Sequence, residues 1–243
     1  MFTDLTRSSS ALHFKWGNTM RRTILIGLLS WSSMITAQTV PVDDLEPWTV
    51  LSFNKITANN VSVVDGKLHI RVRSSASPLI YHFAEPISLT GIRVAASWSG
   101  ELRIPVGAVQ GEKGADDFVL KLGIVEAGDR RLNWFQRRVA ADWIKQLFEL
   151  APKTGGVERI NFLSTTQQTA LLGSQRAHPL SELLYEERLV LLEDPGPFLL
   201  SKTFAKPVVA LGLWVSADGD DTASGFDLTI ESITLQSETA SSP

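Results

Sequence analysis

Apolar and polar residues alternate with a period of two in four well-separated stretches of this chain, and that is the period of a half-buried β-strand. KLHIRVR sets Leu68, Ile70 and Val72 on one face and His69, Arg71 and Arg73 on the other. GIRVAASW does the same with Ile92, Val94, Ala96 and Trp98, and DFVLKLGIV with Phe118, Leu120, Leu122 and Ile124. GFDLTI follows with Phe226, Leu228 and Ile230, after which the phase slips to Ile233 and Leu235. One extra residue near Glu231–Ser232 would restore the inward face, so a β-bulge is expected there. PVVALGLWV, 207–215, is almost continuously apolar. It reads as a central strand covered on both faces. Weaker strand patterns lie at 48–53, 78–84, 102–109, 157–163, 187–193 and 197–203.

Turn chemistry separates these runs. VDGK, 64–67, places Asp-Gly between two strands, the strongest short-range hairpin signal. EPIS (85–88), GEKGADD (111–117), KTGG (153–156) and EDPGP (193–197) are further turn candidates. One segment has a helical period: QRRVAADWIKQLFEL, 136–150, spaces Val139, Ala140, Trp143, Ile144, Leu147 and Phe148 by threes and fours. Ser181 can cap a second, short helical turn over SELLYEE. Many short strands, short connections and one amphipathic helix define a mostly β fold: an antiparallel β-sandwich or jelly roll.

The N-terminus reads as a leader. MRRTILIGLLSWSSMITAQT, 20–39, has two arginines, an apolar run and a small residue at Ala37, the order of a secretory signal peptide. The run is shorter than the roughly 20 apolar residues of a membrane span. Residues 1–19 then form an upstream extension, 20–37 the signal, 38–236 one domain and 237–243 a frayed tail. Loss of the first 37 residues removes four basic and one acidic residue, which takes the formal charge from −3 to −6. An acidic domain without a basic run is a poor match for nucleic acid. The chain has no cysteine, so disulfides, thiolate metal sites and cysteine nucleophiles are excluded. Together these features point to a periplasmic or secreted bacterial protein with no stable membrane span after cleavage.

Chemistry-bearing motifs are sparse. There is no nucleophile elbow and no phosphate-cradling glycine loop. His69, His82 and His178 are too far apart for local metal-ligand spacing. Carboxylates are better candidates: Asp116 and Asp117 open one strand, and Asp218, Asp220 and Asp221 follow another. If both loops share one end of the sandwich, their oxygens could hold a structural Ca²⁺, which takes about six to eight oxygen ligands. The same residues are also ordinary β-turn formers, since Asp oxygens accept from turn N–H groups. For an organic ligand, Trp134, Arg137 and Arg138 in NWFQRR make the one aromatic–cationic patch.

Three segments together resemble a bacterial family, the domain of unknown function 3047. They are DGKLHIRVRSSAS (65–77), GADDFVLKLGIV (114–125) and VVALGLWVSADGDDTASGFDLTIESITL (208–235). The similarity lies in a strand followed by Ser-Ala-Ser, an Asp-Asp-Phe strand start and an acidic turn with Asp-x-Asp-x-Thr character. It spans about 48–235, and it implies an envelope protein with a sandwich-like fold and no assigned reaction. Three functions follow as expectations. The first is a binding module for a glycan or other envelope component. The second is a carboxylate-based polysaccharide hydrolase or lyase. The third is an envelope scaffold without a small ligand.

Overall fold

The computed structural model describes residues 35–134, 138, 140, 142–178 and 181–238. Every described residue belongs to one compact unit that begins at Ser33. Its elements in chain order are β1 (Ile35–Val40), β2 (Trp48–Val50), β3 (Asn60–Val64), β4 (Lys67–Arg73), β5 (Leu79–Glu101) and β6 (Phe118–Gly128). The helix α1 (Asp142–Glu149) follows, then β7 (Gly156–Thr166), β8 (Gln175–His178), β9 (Ser181–Leu191), β10 (Gly196–Asp218) and β11 (Gly225–Glu238). β1 begins at Ile35, inside the segment read as a leader, and pairs with β11 as far as Glu238.

The strands are hydrogen-bonded in the order β3-β4-β11-β5-β10-β6-β7-β9-β8, with β1 on β11 and β2 on β5. All pairs are antiparallel except β7 with β9. This sheet folds over into a sandwich. Leu68, Ile70 and Val72 of β4 and Phe226, Leu228 and Ile230 of β11 share one core cluster with Leu120, Leu122 and Ile124 of β6 and Leu163 of β7. The β4–β11 pair is separated from the β6–β7 pair by β5 and β10 in the sheet, so only a closed, two-layered arrangement lets the two pairs pack together.

The alternation seen in the sequence is the alternation of burial: Leu68, Ile70 and Val72 are fully buried. Asp65 and Gly66 take φ of 50° and 71°, as a two-residue hairpin turn of type I′ requires, and pair Val64 with Lys67. The bulge expected near residue 231 is a register shift between Ile230 and Ser232 against β5. β10 is covered on both faces where PVVALGLWV predicts it, with Leu213 and Val215 in the main core and Leu211 and Trp214 in a second cluster.

Three expectations need correction. EPIS does not end a strand: β5 continues through it for 23 residues. Its turn signal marks a break in register, because β5 slips around Phe83–Pro86 where β10 passes from Ala210 to Gly212. Pro207 sits in the other break, between Thr203 and Val208, where no ladder bond has to be donated. Residues 102–109 are a loop, with Gly107 at φ 82°. SELLYEE is strand β9, and the Ser181 hydroxyl accepts from the Leu183 N–H instead of capping a helix. The helix expected over 136–150 is described from Asp142 to Glu149, and several residues before it, Arg137 among them, lie outside the described residues.

Gly212 locks the second register break. A Cβ there would collide with the Tyr81 carbonyl oxygen and press Leu150 Cδ1 at 3.2 Å. Gly212→Ala is therefore expected to lower stability by about 2–3 kcal/mol in urea unfolding, from forced backbone movement in a packed interior. An unchanged midpoint would mean that β5 yields freely at this point.

Candidate functional site

The outer face of one layer is a grid that changes chemistry along the strands. Strand pairing aligns Gly212, Val125, Ile160 and Leu184 in one row across β10, β6, β7 and β9. The next row is Trp214, Gly123, Phe162 and Glu186, and the third is Ser216, Lys121, Ser164 and Arg188. Because side chains alternate, Trp214, Ser216 and Asp218 all leave β10 on this face while Leu213 and Val215 point into the main core. The face thus runs from apolar to charged over about three side-chain rows.

α1 covers the apolar end. Its Leu147 joins Ile80, Val125, Val157, Ile160, Phe162, Leu211 and Trp214 in the second cluster, with Trp143 and Phe148 packed against it. The Trp214 ring meets Trp143 at 5.7 Å and Phe162 at 5.8 Å between centroids, both edge-to-face. Between helix and sheet lies a cavity of about 700 Å³. Phe53, Ile56, Trp143, Ile144, Leu147, Phe148, Phe162 and Trp214 wall one side, and Asp116, Lys121, His178, Glu186, Ser216, Asp218, Asp220 and Asp221 line the other.

The charged end is largely self-balanced. Lys121 Nζ donates to Asp116 Oδ1 at 2.9 Å, lies 3.9 Å from Asp218 Oδ2 and sits over the Phe118 ring. Burial works against the Lys121 charge, but Asp116, Asp218 and Glu186 outweigh it and raise its pKa, so the ammonium persists. Burial also opposes ionisation of Asp116, yet His178 and Lys121 hold its pKa below the ordinary carboxylate value. Glu186 Oε2 accepts from Arg176 Nε at 2.8 Å and Arg188 Nη2 at 3.1 Å. Asp218 is different. Burial, reinforced by Asp116 and Asp117, pushes its carboxyl up to about 7 despite Lys121 and a hydrogen bond from Ser216. Burial and Asp117 likewise raise Asp220.

The two acidic loops do meet at one end of the sandwich. Asp117 accepts from the Asp221 N–H at 3.2 Å, the Thr222 N–H at 2.8 Å and the Thr222 hydroxyl at 2.6 Å. Asp221 Oδ2 answers by accepting from the Gly114 and Asp116 N–H groups at 3.0 and 3.1 Å. Asp117 is fully buried behind the cavity. Asp116, Asp218, Asp220 and Asp221 line it. Of the aromatic–cationic patch, Trp134 is 74% exposed with the Arg138 guanidinium 5.6 Å from its ring, and neither residue lines the cavity.

Lys121, His178 and Glu186 are the site residues that sequence reasoning missed, and Trp143 and Trp214 were expected only to pack. Asp116, His178 and Glu186 bring one ligand atom each within 4.8 Å of one another, which makes them a candidate divalent-cation site. One imidazole nitrogen and two carboxylates suit a small ion with mixed donors better than Ca²⁺. Lys121 on Asp116 and two arginines on Glu186 compete with any such ion.

No family model matches the chain, and no curated protein sequence matches it. Solved structures with some likeness include the xylan-binding module CBM15, at 12% identity and TM-score 0.35, covering 85% of this chain and 97% of that one. Winged bean acidic lectin complexed with methyl-α-D-galactose has 12% identity and TM-score 0.40, covering 85% and 100%. The exoplasmic/lumenal domain of VIP36 in its Ca²⁺/Man3GlcNAc-bound form has 11% identity and TM-score 0.37, covering 85% and 90%.

Two substitutions separate the roles of these carboxylates. Asp117→Ala removes three accepted hydrogen bonds from a buried carboxylate and is expected to cost roughly 3 kcal/mol, equally in EDTA and in calcium. A loss confined to calcium would make Asp117 a cation ligand. Asp218 titrates near 7 folded and near 3.8 unfolded, so the folded state binds more protons between those values. Its contribution to stability therefore falls as pH rises from about 4 to about 7. Asp218→Asn should raise the urea midpoint relative to the parent at pH 8, with the gain shrinking towards pH 5. A gain independent of pH would contradict this.

Proposed function

We propose that this chain is a binding module of the bacterial envelope, periplasmic or secreted, whose ligand occupies the cavity between α1 and the sheet. One observation carries the reading: a cavity of about 700 Å³ with aromatic walls on one side and a charged end on the other. Small-molecule sites are typically apolar concavities of about 300–1,000 Å³ with a few convergent polar groups. A glycan or another envelope component fits this description. Sugar faces stack on rings such as Trp143, and hydroxyls reach the carboxylates and Lys121. No helix among the described residues is long and apolar enough to cross a membrane.

Membership of the domain of unknown function 3047 family belongs to the same proposal. Two of the three segments that carry the resemblance, those with Asp-Asp-Phe and Asp-Gly-Asp-Asp-Thr, clamp one another beside the cavity. A structural cation at the acidic end, Ca²⁺ or a smaller ion on Asp116, His178 and Glu186, is a further part of it.

A second reading has an observation of its own. Asp218, held near 7, shares Lys121 with the more acidic Asp116, and an acid beside a base is what polysaccharide hydrolysis or lysis needs. Binding is favoured because Asp116 is already hydrogen-bonded to Lys121. Shortening of an envelope polysaccharide by the parent, abolished in Asp218→Asn, would establish the enzyme.

Ile144 lines the cavity from α1, and Ile144→Trp should fill it. Native mass spectrometry after incubation with an envelope extract is expected to show a bound small molecule on the parent and none on the folded variant. An adduct on both, or on neither, would overturn the assignment of this cavity.

A further inference from the structure

We infer that the ligand carries a positive charge beside an apolar body: an organic ammonium whose head lies at Asp218 and Asp220 and whose apolar part lies against Trp143, Phe162 and Trp214. This rests on the cavity being the binding site and adds the chemical class of what enters it.

The inference comes from assigning a partner to each carboxylate. Asp116 has Lys121 at 2.9 Å, and Glu186 has Arg176 and Arg188. Asp117 and Asp221 accept from backbone N–H groups. Asp218 and Asp220 remain. Asp218 is nine-tenths buried and accepts from the Ser216 hydroxyl. Its cation neighbour is Lys121 at 3.9 Å, already committed to Asp116. Asp220 is half-buried and accepts a backbone hydrogen bond, and among the described residues no cation pairs with it. A buried carboxylate without its own cation is costly to ionise, hence the raised Asp218 carboxyl, and a ligand cation would offset that cost. At this cavity the chain leaves Asp218 short of a cation of its own.

Charge and wall together select the class. An anionic ligand would add to the excess negative charge at Asp218 and Asp220. A neutral one would leave it in place. A bare divalent ion would meet the Lys121 ammonium and gain nothing from the apolar wall. An ammonium on an apolar body pairs with the carboxylates and is attracted by indole faces, the more strongly where water is excluded.

The test uses three probes with one tail and different heads: octyltrimethylammonium, octyl glucoside and octyl sulfate. Each is titrated by calorimetry into the protein in EDTA and again with Zn²⁺ present. The ammonium probe is expected to bind about tenfold or more tightly than the other two. Asp220→Asn, and separately Asp218→Asn, should cut that preference about tenfold, and Ile144→Trp should weaken all three probes. Equal binding of the three heads, blocked by Ile144→Trp, would overturn the charge assignment and leave the cavity as the site. Tighter binding of the sulfate, or displacement of the ammonium by Zn²⁺ at the same carboxylates, would also overturn it. Binding of all three unaffected by Ile144→Trp, or binding of none, would overturn the cavity reading as well.

Discussion

The charged end of the cavity depends on one reciprocal interaction. Asp117 takes the N–H groups of Asp221 and Thr222, and Asp221 takes those of Gly114 and Asp116. Two loops about a hundred residues apart are thereby fixed against each other by charge-assisted hydrogen bonds, each stronger than a neutral one. The two acidic loops at this end hang from that clamp. It sets Asp116 beside Lys121 and His178, and it brings Asp218 and Asp220 to the cavity rim. The oxygens that look most like cation ligands in the sequence are in part occupied by the chain's own N–H groups.

The rest of the site follows from strand periodicity. Two-residue alternation lets β6 and β10 serve two masters: Leu120, Leu122, Ile124, Leu213 and Val215 fill the sandwich, while Lys121, Trp214 and Ser216 face the cavity. Because neighbouring strands are in register, the change from apolar to polar occurs at the same level on β10, β6 and β7, and one row earlier, at Glu186, on β9. α1 then covers the apolar rows and leaves the charged rows at the cavity's end. A site on rigid strands with a helix above it holds its geometry better than one built from loops alone.

The strands were legible because burial on one face imposes alternation, and the Asp65–Gly66 hairpin because only such residues take two positive φ angles readily. The amphipathic helix was legible for the same reason at a different period. What failed is equally physical. A proline signals a stop, but Pro86 and Pro207 fall at register breaks in long strands, where an N–H is dispensable. SELLYEE fits a helix by spacing, yet it is a strand beside β7 and β8, a long-range pairing that no local pattern encodes. Asp116 and Asp218 could be singled out from their motifs. Their partners could not: Lys121 looked like one more polar position in an alternating strand. Glu186 and His178 reach Asp116 only through the pairing of β9 with β7 and β8. Trp143 and Trp214 do pack, as their phase indicated, and the same rings wall the cavity.

The central claim is that a ligand enters between α1 and the sheet, and the tryptophans report on it individually. Trp143 and Trp214 line the cavity, Trp48 donates its indole N–H to the Pro41 carbonyl, Trp98 is in the main core and Trp134 is exposed elsewhere. The decisive measurement is the indole region of a ¹H–¹⁵N correlation spectrum, assigned by single Trp→Phe substitutions, as octyltrimethylammonium is titrated in. Shifts of the Trp143 and Trp214 signals, with Trp48, Trp98 and Trp134 unmoved, are the predicted result. A shift of Trp134 with Trp143 and Trp214 unmoved would place binding on the exposed aromatic–arginine patch and contradict the account.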